Sequence, residues 1–429
     1  MAESVRERNL AAVRAKIVAS TKPPAEEAST DDVLGKRKHG LAMEGVRVVA
    51  FSVYFITSIT AIHIAQFLGL PLYAYNRSWY NAWVALTKQY FGVHITTMTY
   101  WWSPTVVRIS GDKSVAGLLR QNKDGLVSLN FGERGLFIAN HQLYTDWLYL
   151  WWAAYANNPP MHGHIYIILK ETLKWVPIVG PAMQLYGFIF MTRSWADDQT
   201  RLKQGLKRLN TQRSTSIIPG QGNAPSQLDP MWLLIFPEGT NLSANEVAKS
   251  RAYAEKVGKA PLTHQVLPRP AGLHLLLQEL GETVPYLYDC TIGYAPLPPG
   301  GYGNDIYGLR TVYIQGRPPS SVNMHWRRFK TSSIPIGDKA ALQDWLEARW
   351  REKEVLLENF YAHGKFSPAD KSAVIIEDGP TEDEFKTPYI TAEIRPASSV
   401  EYLAIFAPVA VAAVAGRIVW QIAERLMGW

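Results

Sequence analysis

Residues 135–152, GLFIANHQLYTDWLYLWW, carry the pattern that decides the fold prediction. The first six residues are mostly apolar, which is typical of a strand covered on both faces of a sheet. A short polar turn follows, and then an aromatic run long enough for a helix. A strand that leads through a turn into a helix is the repeating unit of α/β domains.

The same stretch places His141 and Asp146 in an apolar setting, where an unpaired charge is costly. Residues five apart do not share a helix face, so the spacing argues against a metal-binding stripe. We expect His141 on the turn and Asp146 early in the helix, where the carboxylate orients the imidazole as a base for a hydroxyl. Asn140 can brace the turn with its side chain. The alternative is a His–Asp pair that only stabilises a strand–helix junction.

Strand candidates alternate with helical stretches between residues 105 and 318, and a helix is predicted over residues 195–209. This alternation predicts one α/β domain, residues 105–345, with a mixed sheet covered by helices. The strand candidates are TVVRIS (105–110), GLFIAN (135–140), HIYIILK (164–170), GFIFMTR (187–193), WLLIFPE (232–238), VPYLYDCTIGY (284–294) and TVYIQGRP (311–318).

The pentapeptide FPEGT, residues 236–240, directly follows a strand candidate, and open α/β sheets bind ligands at the carboxyl ends of their strands. Gly239 lets a ligand approach the backbone closely, and Pro237 supports the turn. Glu238 can accept hydrogen bonds from glycerol-type hydroxyls, and Thr240 can bond a phosphate oxygen. In isolation, the pentapeptide also fits a turn with a capping threonine.

The strand candidate at residues 187–193 starts with Gly187 and ends in Arg193, just before the predicted helix. An arginine beside the positive end of a helix suits a phosphate group. Lys170 adds a second cation upstream. The alternative is a surface arginine that pairs with an acidic residue of the helix.

The chain of 429 residues is 47% hydrophobic, carries a net charge of +7 and has 15 tryptophans. Tryptophan favours the membrane–water boundary, although an aromatic-rich core has the same composition. The positive charge suits a membrane surface or a phosphorylated substrate, and no motif predicts nucleic-acid binding. The single cysteine, Cys290, excludes an intrachain disulfide and fits a reducing compartment.

Segments outside the α/β domain point to a membrane. Residues 1–40 are polar and are interpreted as a mobile tail. Within residues 41–104, the apolar run 48–70 would span ~35 Å as a helix, enough to cross a bilayer, with a buried core helix as the alternative. The following run, 79–102, is interpreted as interfacial or as the returning arm of a hairpin.

Two more segments follow the α/β domain. Residues 346–400 combine an amphipathic helix with an acidic stretch, interpreted as a linker or a docking strip. Residues 401–429 contain a second membrane-helix candidate, which Arg417 interrupts and whose small residues permit close helix packing.

Taken in order, the His–Asp motif and residues 187–193, 236–240 and 284–294 resemble the four sequence blocks of the phospholipid/glycerol acyltransferase family. The resemblance covers residues 105–318. Residues 345–361 are similar to the eukaryotic branch that contains lysocardiolipin and lysophosphatidylinositol acyltransferases. Thr192 and Asn241 stand where many relatives carry aspartate and arginine.

The resemblance implies transfer of a fatty acyl group from acyl-CoA to a free hydroxyl of a lysophospholipid. It implies His141 as the base, oriented by Asp146, with no cofactor, no metal and no covalent enzyme intermediate. The tryptophans of residues 147–152 would form a membrane-side wall along which a lipid chain reaches His141. The implied phosphoglycerol site consists of Arg193, Glu238, Gly239 and Thr240, with Asn140, Pro237, Gly187 and Lys170 in support.

The implied partners are the two substrates and the lipid bilayer, with no nucleic acid and no obligate protein partner. We expect an integral protein of the endoplasmic reticulum membrane whose catalytic domain faces the cytosol, where acyl-CoA is made. Three alternatives stay open: a metal hydrolase that uses His162 and His164, a CoA-independent transacylase, and a non-catalytic membrane scaffold.

Overall fold

The computed structural model describes residues 33–35, 38–192, 194–210, 228–366, 374–377, 384–387 and 389–427. The predicted tail at residues 1–40 therefore lies outside the described residues, except for 33–35 and 38–40. Arg193 also lies outside them.

Between residues 38 and 105, three helices precede the first strand, and strands and helices alternate from there on. The helices are α1 (Leu41–Leu68), α2 (Leu70–Tyr75), α3 (Arg77–Trp102), α4 (Asp146–Tyr155), α5 (Val179–Leu185), α6 (Trp195–Leu209), α7 (Ala244–Lys256), α8 (Pro270–Leu280), α9 (Gly303–Ile306), α10 (Lys339–His363) and α11 (Ala407–Met427). The strands are β1 (Val106–Gly111), β2 (Leu119–Gln121), β3 (Val127–Leu129), β4 (Arg134–Ala139), β5 (Ile165–Lys170), β6 (Ile189–Met191), β7 (Met231–Ile235), β8 (Tyr286–Ala295), β9 (Ser321–Lys330), β10 (Val374–Glu377), β11 (Glu384–Thr387) and β12 (Ile390–Glu393).

The main sheet has eight strands in the order β12-β1-β9-β8-β4-β7-β5-β6. The five strands from β8 to β6 are parallel to one another, and β9 pairs antiparallel with β8. A second sheet has the order β11-β10-β2-β3. The predicted mixed α/β fold is therefore confirmed, and the carboxyl ends of β4, β7 and β5 lie side by side at one edge of the sheet.

Helices cover both faces of this sheet, and β4 shows how. Phe137 and Ala139 belong to the core cluster that includes α3 and α4 side chains, whereas Leu136 and Ile138 belong to the cluster with α6, α8 and α10. Alternate residues of a strand point to opposite faces. A continuously apolar strand is what burial on both faces requires.

The strand predicted at residues 311–318 is wrong. Residues Arg310–Ile314 form a helical turn, and a short apolar run does not by itself distinguish helix from strand. The side chain of Arg47 selects the helical form, because it donates hydrogen bonds to the carbonyl oxygens of Ile314 (2.6 Å) and Tyr313 (3.0 Å).

The strand that follows, β9, was not predicted. It pairs with both β8 and β1, and its polar residues Asn323, His325 and Arg327 are buried. These polar side chains interrupt the apolar pattern by which a buried strand is recognised. The acidic stretch after α10 also contributes to the sheet, because β12 pairs antiparallel with β1 as an edge strand.

The N-terminal helices α1 and α3 pack as an antiparallel pair. The Trp83 indole N–H donates to the Ala65 carbonyl oxygen (2.7 Å), and the Tyr54 hydroxyl donates to the His94 carbonyl oxygen (3.0 Å). Residues 79–102 are therefore the returning arm of a hairpin, one of the two predicted forms. Within the described ranges, two helical segments are long and apolar enough to cross a membrane, Leu41–Tyr75 and Glu401–Met427.

Candidate active site

The turn after β4 brings His141 and Asp146 together. Asp146 is the first residue of α4, and its Oδ2 lies 2.9 Å from His141 Nδ1. The aspartate side chain is fully buried, whereas 19% of the histidine side chain is exposed. The imidazole therefore lies between a buried carboxylate and a surface that a substrate can reach.

Two further donors hold the Asp146 carboxylate. The Leu143 backbone N–H donates to Oδ2 (3.0 Å), and the buried Tyr294 hydroxyl donates to Oδ1. The carboxylate is thereby held at both oxygens, and an Oδ2 that accepts from Nδ1 corresponds to the imidazole tautomer with its proton on Nδ1. The other ring nitrogen, Nε2, then carries the lone pair that a general base needs.

Phe236 fixes the plane of the imidazole. Its ring stacks on His141 with centroids 4.1 Å apart and an interplanar angle of 19°. Within the described part of the chain, no hydrogen bond engages His141 Nε2. The imidazole is thus oriented by a stacked ring and a carboxylate, and its second nitrogen has no described hydrogen-bond partner.

Asn140 extends the pairing of β4 with β8 beyond the end of the strand. Its amide Nδ2 donates to the Ile292 carbonyl oxygen (2.9 Å), and its Oδ1 accepts from the Ile292 N–H (2.8 Å). This side-chain pairing holds the turn against β8. It also aligns β8 so that Tyr294, two residues on, reaches Asp146.

Glu238 lies directly behind the turn that carries His141. The carboxyl group is buried, and Oε1 accepts the His141 backbone N–H (3.1 Å). Burial raises the pKa of Glu238 to about 8 and outweighs the opposing effects of the His141 N–H and the Lys353 charge. On the other side, the Leu242 N–H donates to the His141 carbonyl oxygen (2.7 Å). The turns after β4 and β7 therefore hold each other at His141.

The rest of FPEGT forms a tight turn at the surface. The Gly239 N–H donates to the Phe236 carbonyl oxygen (2.9 Å), and Gly239 has a φ of +70°, which favours glycine. Pro237 is buried, and its carbonyl oxygen accepts the Arg269 N–H (2.8 Å). Thr240 is half-buried.

Arg269 covers this turn from the loop between α7 and α8. Its Cδ lies 3.6 Å from the point where a Cβ on Gly239 would stand. A cavity of about 440 Å³ adjoins it and is lined in part by Glu238, Thr240, Lys249 and Lys259. The two lysines form ion pairs with nearby glutamates, whereas Arg269 is exposed and forms no ion pair with any described residue.

The other predicted residues lie further away. Lys170 is exposed at the carboxyl end of β5, at the same sheet edge as His141. Gly187 precedes β6 at the opposite edge, so the structure does not bring it to the site. The Thr192 N–H and hydroxyl both donate to Asp198 Oδ1, at 2.7 and 2.9 Å.

Three polar residues brace the site without having been predicted. Asn304 accepts the Tyr144 N–H (2.8 Å) and donates to the carbonyl oxygens of Gln142 (3.2 Å) and Leu242 (3.1 Å), so it ties the two turns together. The Tyr361 hydroxyl donates to Gln142 Oε1 (2.6 Å). The third is Tyr294, which lies within the strand predicted at residues 284–294.

Two of the three tryptophans of residues 147–152, Trp151 and Trp152, do not contribute to the predicted wall, whereas Trp147 is half-buried. Trp151 and Trp152 are only 1% and 3% exposed, and Trp151 packs edge-on to Phe91 of α3 with centroids 4.9 Å apart. These side chains belong to the core that joins α4 to the N-terminal helices.

Other catalytic chemistries find little support in this arrangement. Burial raises the pKa of the Cys290 thiol well above its usual range, so it is not a thiolate nucleophile. His162 is buried beyond the far end of α4, against Tyr155. In the described ranges, no three His, Cys, Asp or Glu side chains group as metal ligands.

Comparison with known proteins agrees with this geometry. The Acyltransferase family model matches residues 114–283, and the Acyltransferase C-terminus model matches residues 313–400. An acyltransferase of Schizosaccharomyces pombe is 34% identical over 321 residues, which cover 75% of this chain and 87% of the relative. The chain belongs to the phospholipid/glycerol acyltransferase family.

Two further relatives place this acyltransferase within the family. The 2-acyl-1-lysophosphatidylinositol acyltransferase of Saccharomyces cerevisiae is 37% identical over 302 residues, 65% of this chain and 75% of the relative. Lysocardiolipin acyltransferase 1 of Danio rerio is 33% identical over 232 residues, 54% of this chain and 53% of the relative. The resemblance to the eukaryotic branch that contains these enzymes is therefore confirmed.

Both matched regions of the acyltransferase contribute to the site. The first contains His141, Asp146, Glu238 and Arg269, and the second contains α10. From α10, Lys353 Nζ donates to the backbone oxygen of Cys290 in β8 (2.6 Å). Glu354, also in α10, accepts the backbone N–H groups of Thr263 and His264 in the loop that leads to Arg269. This helix therefore holds in place both β8, which carries Tyr294, and the loop that carries Arg269.

Proposed function

We propose that this acyltransferase transfers a fatty acyl group from acyl-CoA to a free hydroxyl of a lysophospholipid. Relatives in the same branch are named for lysophosphatidylinositol and lysocardiolipin as acceptors. The single observation that carries the proposal is the dyad, in which buried Asp146 engages Nδ1 and leaves Nε2 of His141 on the accessible side. The thioester of the donor is already activated, so only the acceptor hydroxyl needs a base, and His141 can supply one.

The reaction then needs only proton movements at His141. Nε2 removes the proton from the acceptor hydroxyl as its oxygen attacks the thioester carbonyl carbon. The C–O bond forms, the tetrahedral intermediate collapses, and the C–S bond breaks. The sulfur leaves with the proton from the imidazolium, so the products are the phospholipid and free CoA. Asp146 stabilises the imidazolium between the two proton transfers.

Arg269 is the described cation best placed to hold a phosphate group of the acceptor. It is exposed, forms no ion pair with a described residue, and lies over the Gly239 turn next to Thr240. Arginine recognises phosphate through several N–H donors at once. We include Thr240 and Gly239 in this site, and the contribution predicted for Arg193 remains a prediction.

We assign Glu238 a positioning role. Its carboxyl group is buried and holds the backbone N–H of His141. With a pKa of about 8, the group is mostly protonated at neutral pH, so it places no charge beside the base. It lines the cavity beneath Arg269, and its predicted contact with a glycerol hydroxyl stays a prediction.

We also propose that the protein is integral to the endoplasmic reticulum membrane, with its catalytic domain in the cytosol, where acyl-CoA is available. One face of α1 is packed against the protein, and the other exposes an apolar stripe at helical spacing. The exposed stripe consists of Val46, Val49, Val53, Ile56, Ile64 and Phe67. In contrast, α11 exposes apolar side chains around most of its surface.

An acceptor screen tests the proposal. Purified protein receives one acyl-CoA and a panel of lysophospholipids, and products are identified by mass spectrometry. We expect one or a few acylated lysophospholipids, with free CoA released in equal amount. Acylation without added acyl-CoA would indicate a transacylase. Loss of activity on exhaustive chelation would indicate a metal enzyme, and no product with any acceptor would indicate a scaffold.

A further inference from the structure

Four consecutive apolar residues, Trp-Val-Pro-Ile at positions 175–178, are exposed on a loop between β5 and α5. The exposed fractions are 75% for Trp175, 40% for Val176 and 43% for Ile178. Single exposed apolar residues are ordinary on protein surfaces, but a contiguous run indicates a surface that binds something.

The loop has a defined shape. The Gly180 N–H donates to the Val176 carbonyl oxygen (2.7 Å), and the Val179 N–H donates to the Pro177 carbonyl oxygen (2.7 Å). A Cβ on Gly180 would lie 2.2 Å from the Lys174 carbonyl oxygen, so only glycine permits this close return of the chain. The apolar tip is therefore presented by a folded turn.

Ile178 stores strain at this tip. Ile178 has a φ of 64° and a ψ of −54°, and the Val179 N–H donates a hydrogen bond to the Pro177 carbonyl oxygen. This combination is a γ-turn of the rare, positive-φ type. A β-branched residue is unfavourable in this conformation, where glycine would be relaxed. Strain of this kind is retained where the side chain has a use.

The position of the loop indicates what covers it. A single 3₁₀ turn, Glu171–Trp175, connects it to the carboxyl end of β5, the neighbour of β7, so it lies at the same sheet edge as His141. The helix that follows it, α5, packs on α1, where Gln66 Nε2 donates to the Ala182 carbonyl oxygen (3.3 Å). Beside Gln66, Ile64 and Phe67 of the apolar stripe are exposed.

Charge at the base of the loop fits the same partner. Lys170 is exposed, whereas Lys174, whose Nζ lies 5.1 Å from the Trp175 ring centroid, already pairs with Glu171 (2.5 Å). A tryptophan near an exposed lysine is typical of the boundary between lipid headgroups and acyl chains, because the ring enters the apolar region while the ammonium group of Lys170 meets anionic headgroups.

We propose that residues 175–178 insert into the interface of a phospholipid bilayer and form a second membrane contact beside α1. This inference rests on the proposed membrane association. Because the loop and the dyad lie at one edge of the sheet, its insertion turns the catalytic edge toward the bilayer. The acceptor hydroxyl can then reach His141 while the acyl chain of the lysophospholipid remains in the bilayer.

A site-specific probe tests the insertion. Val176→Cys carries an environment-sensitive dye in the full-length protein, reconstituted in phosphatidylcholine–phosphatidylinositol nanodiscs with or without doxyl-labelled lipid. Cys290 is fully buried and stays unlabelled in the folded protein. Ser332→Cys is the matched control, because it is exposed at the opposite edge of the sheet. We expect strong quenching of the dye at position 176 and none at 332. Equal quenching at both positions, or none at 176, would overturn the proposal.

A second measurement separates this proposal from the proposed function. In the double variant Trp175→Ser, Ile178→Gly, acylation of lysophospholipid embedded in vesicles should fall about tenfold. Acylation of a short-chain, detergent-dispersed lysophospholipid should stay within about twofold of wild type. Equal losses with both acceptors would make the loop part of the active site. A changed oligomeric state in analytical ultracentrifugation would make it a contact between copies. Wild type that acylates no acceptor would contradict the proposed function, while the quenching experiment would still test insertion.

Discussion

The turn after β4 and the loop that carries Arg269 meet at one edge of the sheet, yet they are built in opposite ways. Asp146 is fully buried and accepts three hydrogen bonds, whereas Arg269 is exposed and pairs with no described acidic residue. A base must be held in one orientation during proton transfer, and burial provides that. A group that captures an anion must instead remain open to the substrate. Substitutions in the turn after β4 should therefore lower kcat, whereas substitution of Arg269 should raise KM for the acceptor.

The largest effect is expected for Asp146→Asn. An asparagine amide does not hold the proton on His141 Nδ1 as a carboxylate does, and it offers an N–H to a position that now accepts hydrogen bonds. We expect kcat to fall by roughly 10²- to 10⁴-fold, the range of general-base catalysis, with KM for both substrates nearly unchanged. If the substitution mainly raised KM, Asp146 would contribute to substrate binding, and the turn would no longer differ in role from Arg269.

A smaller effect on the same turn is expected for Tyr294→Phe. The variant removes the hydroxyl that donates to Asp146 Oδ1 and leaves that oxygen unpaired. Leaving a buried acceptor without its hydrogen-bond donor costs roughly 1–3 kcal/mol. We expect kcat to fall about tenfold, because Asp146 is then held less firmly. The control is Tyr307→Phe, whose hydroxyl donates to the Pro296 carbonyl oxygen and does not touch Asp146. Equal losses in both variants would assign the effect to general packing.

Arg269→Ala tests the binding side of the comparison. We expect KM for the phosphorylated acceptor to rise about tenfold, which is about 1.4 kcal/mol and typical of a charged hydrogen bond, with kcat retained. Arg269→Lys should recover part of the affinity. Lys249→Ala is the matched control, since Lys249 lines the same cavity but is already paired with Glu246. If only the KM for acyl-CoA rose, Arg269 would instead be assigned to the binding site of the acyl donor.

An effect on stability, which need not change the rate, is expected for Glu238→Gln. The folded pKa of about 8 exceeds the ordinary 4.5, so the native state keeps a proton that the unfolded state releases as pH rises from 4.5 to 8. Wild type therefore loses stability across this window, whereas the glutamine variant does not. The melting temperature of the variant minus that of wild type should increase from pH 5 to pH 8.5. A difference in melting temperature that stays constant with pH would show that the Glu238 pKa is not raised.

The variant Glu238→Ala tests the positioning role instead. It should lower kcat, because the His141 backbone N–H loses its acceptor.

The catalytic turn was predictable because its parts lie close together in sequence. Asn140, His141 and Asp146 fall within seven residues, and the apolar strand before them fixes where the turn stands relative to the sheet. FPEGT follows its own strand in the same way. Since both strands are parallel neighbours, the two motifs necessarily meet at one edge.

The residues that hold the turn were not predictable in this way. Asn304 and Tyr361 reach the site from distant parts of the chain, through tertiary contacts that leave no local pattern. β9 was missed because its buried residues include Arg327, which pairs with Asp289 (2.7 Å) inside the protein. Sequence periodicity records burial of apolar groups and does not record polar groups that are buried as partners.

Replacement of the base tests the central claim most directly. Purified wild type and His141→Ala receive the same acyl-CoA and lysophospholipid in detergent, and acylated product and free CoA are measured together. We predict that the variant loses acyl transfer, by at least about 10²-fold, while its melting temperature and its association with membranes match wild type. Turnover at the wild-type rate in a folded His141→Ala variant would contradict the assignment of His141 as the base.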